Sequence, residues 1–373
     1  MKMALIHDWL ITPGGAEKVL ESFEELFKAP IYTLFYDPKK MSRSSLSRSE
    51  IHTSFLQKTP FSSSIYRHLL PLFPMAIKTF DLSSYDVILS GSHAVAKGVI
   101  TRENQLHICY CYTPMRYAWD LQEAYLRPLN PIMRGIARVI LESIRKWDLK
   151  TSENVDFFIA SSSYIAERIA RAYQREAVVI YPPVAVEDFF LSNHREEYYV
   201  THARLVPYKR IDLLVEAFSY MPDKKLVVIG TGPEDKKLRK MAKKNVEFLG
   251  YVGGKELSKL LAEAKAYVFA AEEDFGIGVV EAQSSGLPVI ALGKGGALET
   301  VVDGKTGLFF LEPTVPSFIE AIKSFEKKEK TFDPLVIRKH AEFFSKERFE
   351  TELYQFIEEA RQKFYENHHS CRR

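Results

Sequence analysis

Short apolar runs alternate with stretches of helical periodicity along most of the chain. In the first half, the runs that predict buried strands lie at residues 3–6, 31–35, 85–90, 105–112, 156–160 and 178–181. A turn at residues 12–15 follows the first run, and from Ala16 onward apolar side chains recur with the spacing of one helix face. This succession of strand, glycine-containing turn and helix predicts an α/β unit with a parallel sheet.

The same alternation begins again after Pro182 and Pro183. Predicted strands lie at residues 198–201, 225–229, 246–249, 266–270 and 289–292, and predicted helices at 211–219, 255–264 and 279–285. We therefore predict two Rossmann-like α/β lobes with parallel sheets, a first domain over residues 1–182 and a second over 183–345. Ligands bind such sheets at the carboxyl ends of the strands, so the lobes are expected to face a central crevice. An amphipathic stretch over residues 346–373 closes the chain and can pack back on either lobe.

Composition and charge restrict the remaining classes of protein. Hydrophobic residues make up 46% of the chain and charged residues 27%, which is ordinary for a globular protein in water. The net charge of +3, from 51 basic and 48 acidic residues, is too small to indicate nucleic acid binding. No apolar run has the length of a membrane span, and the first residues lack the apolar stretch of a signal peptide. We therefore expect a cytoplasmic protein with no nucleic acid partner.

The sequence offers no recognisable set of metal ligands. Cys109 and Cys111 stand two residues apart on a predicted strand, and no second pair of cysteines or histidines completes a zinc site. With Cys371 the cysteines number three, so no disulfide framework is indicated. We expect Cys109 and Cys111 to be buried thiols. The sequence also contains no Asp-x-Asp stretch, and we expect neither a metal nor a cofactor.

Two cations mark a candidate anion site in the second half. Arg204 and Lys209 follow one predicted strand and precede the helix predicted from Ile211. The amides at a helix N-terminus favour negative charge, and an arginine can contact two phosphate oxygens at once. A solvated basic turn would show the same two residues, and on the two cations alone that interpretation is favoured.

Two carboxylates flank a glycine-rich turn further along. A continuous helix would place Glu273 and Glu281 about 12 Å apart, too far for a carboxylate pair of the glycosidase kind. Gly276 and Gly278 interrupt the helix, so we expect Glu273 on a loop and Glu281 in the first turn of the next helix. Both can then accept hydrogen bonds from hydroxyls of one ligand. The alternative is two unrelated surface acids.

Together these motifs resemble the nucleotide-binding lobe of the retaining GT-B glycosyltransferases of family 4. The matching blocks are RLVPYKRID from Arg204, the Glu-x7-Glu block from Glu273 to Glu281, and GGALETVVDGKTG from Gly295. The order of the lobes and the crossover at Pro182 and Pro183 also fit, so the resemblance extends over essentially the whole chain. The chain departs from the pattern at Ala185, where the family frequently carries aspartate, and that position belongs to the crossover.

The resemblance implies a role for each matched residue of the second lobe. Arg204 and Lys209 would neutralise the diphosphate of a nucleotide-sugar donor. Glu281 would bind the ribose hydroxyls, and Glu273 would bind hydroxyls of the transferred sugar. Backbone groups of the glycine turn and of the strand end near the nucleotide base would complete the donor site, at Phe275, Gly276, Ile277, Phe248 and Tyr251.

The resemblance also assigns residues of the first lobe. Gly14 and Gly15 would form a loop against the diphosphate and sugar, and His93 would reach the sugar from this lobe. We therefore expect His93, Glu273, Arg204 and Lys209 to carry the chemistry. His7 and Asp8, at the end of the first predicted strand, either orient an acceptor hydroxyl or form a plain structural pair.

Two further blocks resemble a subgroup that acts in O-antigen and exopolysaccharide assembly, often described as mannosyltransferases. They are SGSHAVAKG at residues 90–98 and HICYCYTPMRYAWD at residues 107–120. The resemblance implies transfer of a hexose, with GDP-mannose the favoured donor, to a glycan or polyprenyl-linked acceptor with retention of configuration. A nucleotide-sugar epimerase of similar fold and a non-catalytic donor-binding scaffold are the alternatives.

Two short motifs suggest other chemistry and are better explained structurally. Gly230 and Gly232 begin like a dinucleotide fingerprint, but Pro233 follows and the third glycine is missing, so we predict a tight turn. The serines at residues 161–163 lack the glycine frame of a nucleophile elbow. They are expected to cap the helix that begins near Tyr164.

Two basic and apolar stretches of the first lobe raise the question of peripheral contact with the inner face of the cytoplasmic membrane. Residues 57–80 mix aromatic and aliphatic side chains with Lys58, Arg67 and Lys78 and contain no acidic residue. Residues 127–150 carry six basic and two acidic residues beside apolar positions at helical spacing. Anionic headgroups attract such segments. For residues 57–80 we expect membrane or acceptor contact, whereas for residues 127–150 packing on the sheet is favoured.

Overall fold

A computed structural model of the chain describes residues 2–127 and 129–370, which form two compact units. The N-terminal unit takes in the described residues up to Tyr181 and again from Phe349, and the C-terminal unit runs from Pro182 to Arg348. Cys371 and the rest of the expected closing stretch, residues 371–373, lie outside the described residues. Each unit has its own parallel sheet with helices on it, which confirms the predicted α/β class with two Rossmann-like domains.

The sheet of the N-terminal unit is parallel throughout. Its strands are β1 (Met3–His7), β2 (Ile31–Thr33), β3 (Ile51–Thr53), β4 (Val87–Ser92), β5 (Leu106–Cys111), β6 (Phe157–Ala160) and β7 (Ala177–Val179). They lie in the order β3-β2-β1-β4-β5-β6-β7. The central strands are buried along their whole length, as expected for strands covered on both faces. Cys109 and Cys111 are buried free thiols on β5, as predicted.

Helices and short 3-10 turns cover this sheet. The helices are α1 (Gly15–Phe27), α2 (Ser62–Ile65), α3 (Phe73–Ala76), α4 (Gln122–Leu126), α5 (Pro131–Ser152) and α6 (Ser163–Tyr173), with 3-10 turns at Ser45–Arg48, Phe55–Lys58, Tyr66–Leu72, Ile77–Thr79 and Ala96–Gly98. The Ser162 hydroxyl accepts a hydrogen bond of 3.1 Å from the Ile165 amide. This contact confirms that the serine run caps a helix.

The C-terminal unit repeats the architecture. Its strands are β8 (Tyr198–His202), β9 (Lys225–Ile229), β10 (Val246–Gly250), β11 (Ala266–Phe269), β12 (Val289–Leu292) and β13 (Gly307–Phe310), in the order β10-β9-β8-β11-β12-β13. Its helices are α7 (Ile211–Ser219), α8 (Asp235–Met241), α9 (Gly254–Glu263), α10 (Ile277–Ser284), α11 (Ala297–Thr300), α12 (Val315–Lys328) and α13 (Pro334–Glu342), with 3-10 turns at Val186–Asp188, Pro207–Lys209 and Glu329–Thr331.

The last helix, α14 (Lys346–Ser370), contributes to the core of the N-terminal unit. Phe349, Leu353 and Ile357 recur at helical spacing and are buried with α1, where the rings of Phe349 and Phe23 stack. An apolar stripe of this kind stabilises a helix mainly through tertiary packing. From Phe349 onward, the described part of the closing stretch therefore belongs to the N-terminal unit.

The structure corrects the expected start of one helix in the C-terminal unit. Helix α10 begins at Ile277 rather than at residue 279, so Glu281 lies in its second turn and not in its first. The reason is Gly276, whose φ of +89° ends the preceding loop immediately before the helix.

Residues 57–80 and helix α5 were both considered for membrane contact, and in both the burial of the apolar side chains departs in part from the expectation. In residues 57–80, Phe73, Ala76 and Ile77 are buried in the core of the N-terminal unit, although Phe61 and Met75 are exposed. In α5, Ile144 is buried as expected. Ile140 also packs against this core, partly buried. The expectation is wrong for the other three residues of that apolar face, because Ile132, Ile136 and Val139 are exposed.

His107, on β5, is completely buried, and burial lowers its pKa to about 4. Its Nε2 lies 2.9 Å from the Ser90 hydroxyl and its Nδ1 lies 3.2 Å from the carbonyl of Asn154. In the unfolded chain a histidine titrates near pH 6.5. Between pH 6.5 and pH 4 the unfolded chain therefore binds a proton that the folded chain does not bind. The free energy of unfolding consequently decreases as the pH decreases through this range.

We expect this histidine to reduce the free energy of unfolding by about 3 kcal/mol as the pH falls from 6.5 to 4. Urea unfolding of the wild type and of His107→Gln at a series of pH values measures the difference. The two curves of free energy against pH should converge toward pH 4. Parallel curves would show that His107 does not cause the acid sensitivity.

Candidate functional site

The strand order of the C-terminal unit changes direction beside β8. From β8 the chain extends the sheet through β9 to β10, and it then adds β11, β12 and β13 on the other side of β8. Loops that leave the two strands at such a point diverge and open a place for a ligand. The loop after β8 carries Arg204 and Lys209, and the loop after β11 carries Glu273. The topology alone therefore brings three predicted site residues to one edge of this sheet.

The loop that carries Arg204 is held by the neighbouring turn after β9. The Leu205 amide donates to the Thr231 carbonyl at 3.0 Å, and the Ala203 amide donates to Ile229 at the same distance. A Cβ on Gly230 would collide with the Ala203 carbonyl, and a Cβ on Gly232 would collide with the Leu205 carbonyl. The two glycines thus form the predicted tight turn, and they allow it to support the loop on which the exposed Arg204 stands.

Lys209 and Glu273 form the central contact of the site. Lys209 ends a 3-10 turn, and its ammonium group donates a hydrogen bond to Oε1 of Glu273. Both side chains are partly buried, at 19% and 13% exposure, so water screens this ion pair less than it screens a surface pair. A phosphate oxygen and a sugar hydroxyl are the two ligand groups that the lysine and the carboxylate can bind.

The GGALE motif positions the loop of Glu273. The Gly296 amide donates a 2.8 Å hydrogen bond to the Glu273 carbonyl. Gly295 has a φ of +61°, and side chains at Gly295 or Gly296 would collide with the backbone at Glu273 and Phe275. This motif therefore contributes to the site through its backbone, and it fixes the backbone position from which the Glu273 side chain extends.

Glu281 has a partner that the sequence did not reveal. Its Oε2 lies 2.7 Å from Nε2 of His202, the last residue of β8, and both side chains are largely buried. Gly278 leaves room for this contact, because a Cβ there would lie 3.1 Å from His202 Nε2. Burial raises the pKa of the adjacent Tyr267, and the charges of Glu273 and Glu281 raise it further. Glu273 and Glu281 therefore both lie close enough to Tyr267 to raise its pKa.

The other residues expected to bind the donor take two kinds of position. Phe275 is buried against Phe344, so it can offer a ligand its backbone but not its ring, and Gly276 and Ile277 lead into α10 beside it. Tyr251, at 71% exposure, presents its ring to solvent just after β10. Phe248 lies within β10 and is covered by the guanidinium of Arg239. The carbonyl of Gly250, between them, already accepts a hydrogen bond from Gly230.

The N-terminal unit has a corresponding change of direction between β1 and β4. Gly14 and Gly15 follow β1, and His93 follows β4. Gly14 is the N-cap of α1 and Gly15 is its first residue, so the expected glycine loop ends where the helix begins. A Cβ on Gly14 would lie 2.9 Å from the Glu17 carboxylate. The two predicted first-lobe features thus occupy one edge of their own sheet.

Asp8 organises the loop that carries His93. Its two carboxylate oxygens accept hydrogen bonds of 2.6–2.9 Å from four consecutive backbone amides. They belong to His93, Ala94, Val95 and Ala96. Asp8 Oδ2 also lies 3.2 Å from the His93 ring, at Nδ1. The structure therefore favours the structural interpretation of Asp8, which fixes the histidine rather than meeting a ligand.

His93 is surrounded by aromatic side chains and a second acid. Its ring lies edge-on to Trp9, at 4.5 Å between centroids, and about 6 Å from the rings of His7 and Tyr112. Burial lowers the pKa of His93, and the charge of Asp8 opposes that shift in part. At neutral pH His93 is therefore an uncharged imidazole that can exchange hydrogen bonds with a hydroxyl. Behind it, His7 is completely buried with Glu17 Oε1 3.8 Å from its Nε2.

Within residues 2–127 and 129–370, no three or more histidine, cysteine, aspartate or glutamate side chains are grouped so that they could hold a metal ion. Among the helices of the same residues, none has the length and apolar character needed to cross a membrane.

The sequence of the C-terminal unit matches a known family. Residues 186–339 match the family described as Glycosyl transferases group 1. One curated relative is the GDP-mannose-dependent alpha-(1-6)-phosphatidylinositol monomannoside mannosyltransferase of Mycolicibacterium smegmatis, 31% identical over 206 residues. That match takes in 47% of this chain and 52% of the relative, so the chain spans about half the length of this relative.

Solved structures show the fold of the whole chain. The Anabaena Alr3699/HepE structure in complex with UDP superposes with a TM-score of 0.71 at 16% identity, over 96% of this chain and 100% of that one. Sucrose-phosphate synthase from Thermosynechococcus elongatus gives a TM-score of 0.73 at 17% identity, over 98% and 100%. The chain has the GT-B fold of two parallel-sheet Rossmann-like domains.

Proposed function

We propose that this chain is a glycosyltransferase, because residues 186–339 match the family described as Glycosyl transferases group 1. It moves a hexose from a nucleotide-diphosphate sugar to an acceptor hydroxyl. The observation that carries the proposal is the contact between Lys209 and Glu273 at the change of strand direction, with Arg204 on the same loop. A cation for phosphate and a carboxylate for sugar hydroxyls are adjacent there, as a nucleotide sugar requires.

The proposed reaction depends on charge that develops as the donor breaks. When the bond between sugar and phosphate loosens, negative charge builds on the departing diphosphate. Arg204 and Lys209 stabilise that charge, together with the amides of Gly276 and Ile277 at the start of α10. Glu273 binds hydroxyls of the sugar, and Glu281, held by His202, binds the ribose. His93 of the N-terminal unit contacts the sugar.

We propose GDP-mannose as the donor. The support is the similarity to the relative from Mycolicibacterium smegmatis, a GDP-mannose-dependent mannosyltransferase. A thermal-shift panel of GDP-mannose, UDP-glucose, UDP-N-acetylglucosamine and UDP-galactose tests it. GDP-mannose should raise the melting temperature most, since at equal concentration the ligand that binds most tightly stabilises the folded state most. A larger shift with a UDP-sugar would reject the mannose assignment and leave the transferase proposal standing.

We further propose that the configuration at the transferred carbon is retained. In this scheme the acceptor hydroxyl attacks from the face that the diphosphate leaves, and a phosphate oxygen takes the acceptor proton. No separate protein base is then needed, which fits a site in which the carboxylate of Glu273 is already paired with Lys209. The anomeric signal in the proton NMR spectrum of a freshly formed product distinguishes retention from inversion.

The acceptor we propose is a glycan or a polyprenyl-linked glycan of surface polysaccharide or glycolipid assembly. Such a lipid-linked acceptor lies in the cytoplasmic membrane, so the protein would act from the cytoplasm at its inner face. The support is the similarity of residues 90–98 and 107–120 to enzymes of that kind. The relative from Mycolicibacterium smegmatis is also named for a lipid, a phosphatidylinositol monomannoside.

Activity is expected to survive excess EDTA. Arg204 and Lys209 supply the positive charge that a divalent ion would otherwise supply to the diphosphate. Protein carboxylates usually help to hold Mg²⁺ against substrate phosphates, and residues 2–127 and 129–370 contain no cluster of acidic side chains grouped to do so. Initial rates with and without EDTA measure this directly, with EDTA plus Mn²⁺ as the control. A loss of activity that Mn²⁺ restores would overturn the metal-independent proposal.

A further inference from the structure

One face of α5 exposes a row of apolar side chains. Ile132, Ile136 and Val139 are 77%, 51% and 72% exposed. They stand four and three residues apart, so they share one side of the helix, and Met133 beside them is half exposed. Single exposed apolar residues are common on proteins, but a contiguous row on one helix indicates contact with an apolar partner.

The rotation of α5 about its own axis is fixed by its opposite face. Leu141 and Ile144 are buried there, and so is Asp148, whose carboxylate binds the ammonium of the buried Lys97. The Trp119 indole and the Tyr173 hydroxyl also donate to Asp148, both at 2.8 Å. Rotating the helix so that its apolar row is buried would separate Asp148 from Lys97 and leave a buried charge without its partner, which is strongly destabilising. The exposed row is therefore a stable feature of this unit.

The same exposed side of α5 becomes cationic toward its end. Lys146 and Lys150 lie on the side that carries Ile132 and Val139, and both are exposed. The two acidic residues within 127–150 are Glu142 and Asp148. Because Asp148 is buried and paired with Lys97, Glu142 is the one acidic residue of this stretch that can offset its positive charge at the surface. The solvent-facing charge of the helix is thus strongly positive.

We propose that the face of α5 formed by Ile132, Ile136, Val139, Lys146 and Lys150 docks on an anionic lipid bilayer. The helix would lie in the plane of the membrane, with its apolar row between the acyl chains and its lysines among the headgroup phosphates. Charge complementarity favours this partner over a second copy of the chain, because a copy would bring the same positive face. The inference rests on the proposed lipid-linked acceptor for its purpose and on the geometry of α5 alone for its evidence.

Vesicle co-sedimentation tests the proposal with the full chain. The wild type should sediment with phosphatidylcholine vesicles that contain phosphatidylglycerol, should remain in solution with pure phosphatidylcholine, and should be released by salt. Lys146→Gln with Lys150→Gln should weaken the partition constant roughly 30-fold. Ile132→Ser, Ile136→Ser and Val139→Ser together should weaken it on the order of 100-fold.

A matched variant controls for loss of exposed apolar surface in general. Leu311→Ser with Leu335→Ser changes two side chains of the C-terminal unit that are 75% and 66% exposed. This variant should bind vesicles like the wild type, and circular dichroism should show every variant folded. Binding of the α5 triple variant at wild-type strength, equal binding to both lipid compositions, or no wild-type binding would each overturn the proposal. A wild-type dimer in light scattering that the triple variant abolishes would assign the face to a second copy instead.

Turnover separates this inference from the proposed function. With a water-soluble octyl glycoside as acceptor, the α5 variants should keep the wild-type rate while they lose vesicle binding. Vesicle binding without any sugar transfer would leave the docking surface standing and reject the transferase. Sugar transfer without vesicle binding would support the transferase and reject the docking surface on α5.

Discussion

Replacing Lys209 by alanine should abolish most turnover, with kcat/KM about 10²–10³-fold lower than in the wild type. The lysine is in direct contact with the proposed sugar-binding carboxylate, Glu273. Its removal takes a positive charge away from the departing diphosphate and leaves that carboxylate without its partner. Steady-state rates with the best donor of the thermal-shift panel measure the loss.

A double-mutant cycle shows whether the two residues act as a unit. Because Lys209 and Glu273 are in contact, their effects should not add, and the double alanine variant should be little slower than the slower single variant. Lys225→Ala is the matched control, since Lys225 begins β9 at the opposite edge of the sheet and pairs there with Glu247. A Lys209→Ala variant with near-normal rates would show that the anion site is elsewhere.

Replacing His93 by alanine should lower kcat about 10²-fold without changing nucleoside diphosphate binding. The backbone of its loop is held by Asp8 through amides that the substitution leaves in place, so the fold should survive. The proposed diphosphate-binding residues belong to the other unit and should be unaffected. Calorimetric titration with GDP, next to steady-state kinetics, separates the two effects.

The acid limb of the rate profile provides a second readout for His93. Burial lowers its pKa below 6.5, so the ring is neutral at pH 7 and becomes charged only under more acidic conditions. The wild-type rate should therefore fall as the pH drops through this lowered pKa, whereas the residual rate of His93→Ala should lack that limb. Weaker GDP binding with an unchanged kcat would assign His93 to the structure of the donor site instead.

The buried strands were predictable because parallel strands covered on both faces appear in a sequence as uninterrupted apolar runs. Two strands did not give that signal. The edge strand β3 is the tripeptide Ile-His-Thr and is only half buried, and β13 begins at Gly307 directly after a glycine turn. Their pairing partners, β2 and β12, are what make them strands, and that pairing is tertiary information.

The candidate site was predictable where motif and topology agree and not where a contact joins distant segments. Arg204, Lys209 and Glu273 follow strands that flank a change of direction. The pairing of His202 with Glu281 spans 79 positions, and nothing in the local sequence around either residue indicates it. Likewise, which face of α5 is buried depends on Asp148 meeting Lys97, 51 positions away. The apolar pattern of the helix alone predicted that Ile132, Ile136 and Val139 would be buried together with Ile144, and these three side chains are exposed.

Acceptor-dependent release of GDP from GDP-mannose tests the central claim most directly. The purified wild type is incubated with the donor, with and without a panel of octyl glycosides, and GDP and glycosylated product are quantified by mass spectrometry. We predict GDP and mannosylated acceptor in equal amounts when an acceptor is present, neither without acceptor, and neither with Lys209→Ala. Conversion of the donor to a different nucleotide sugar without acceptor would indicate an epimerase. Donor binding without turnover in any condition would indicate a non-catalytic scaffold, and either result would contradict the proposed transfer reaction.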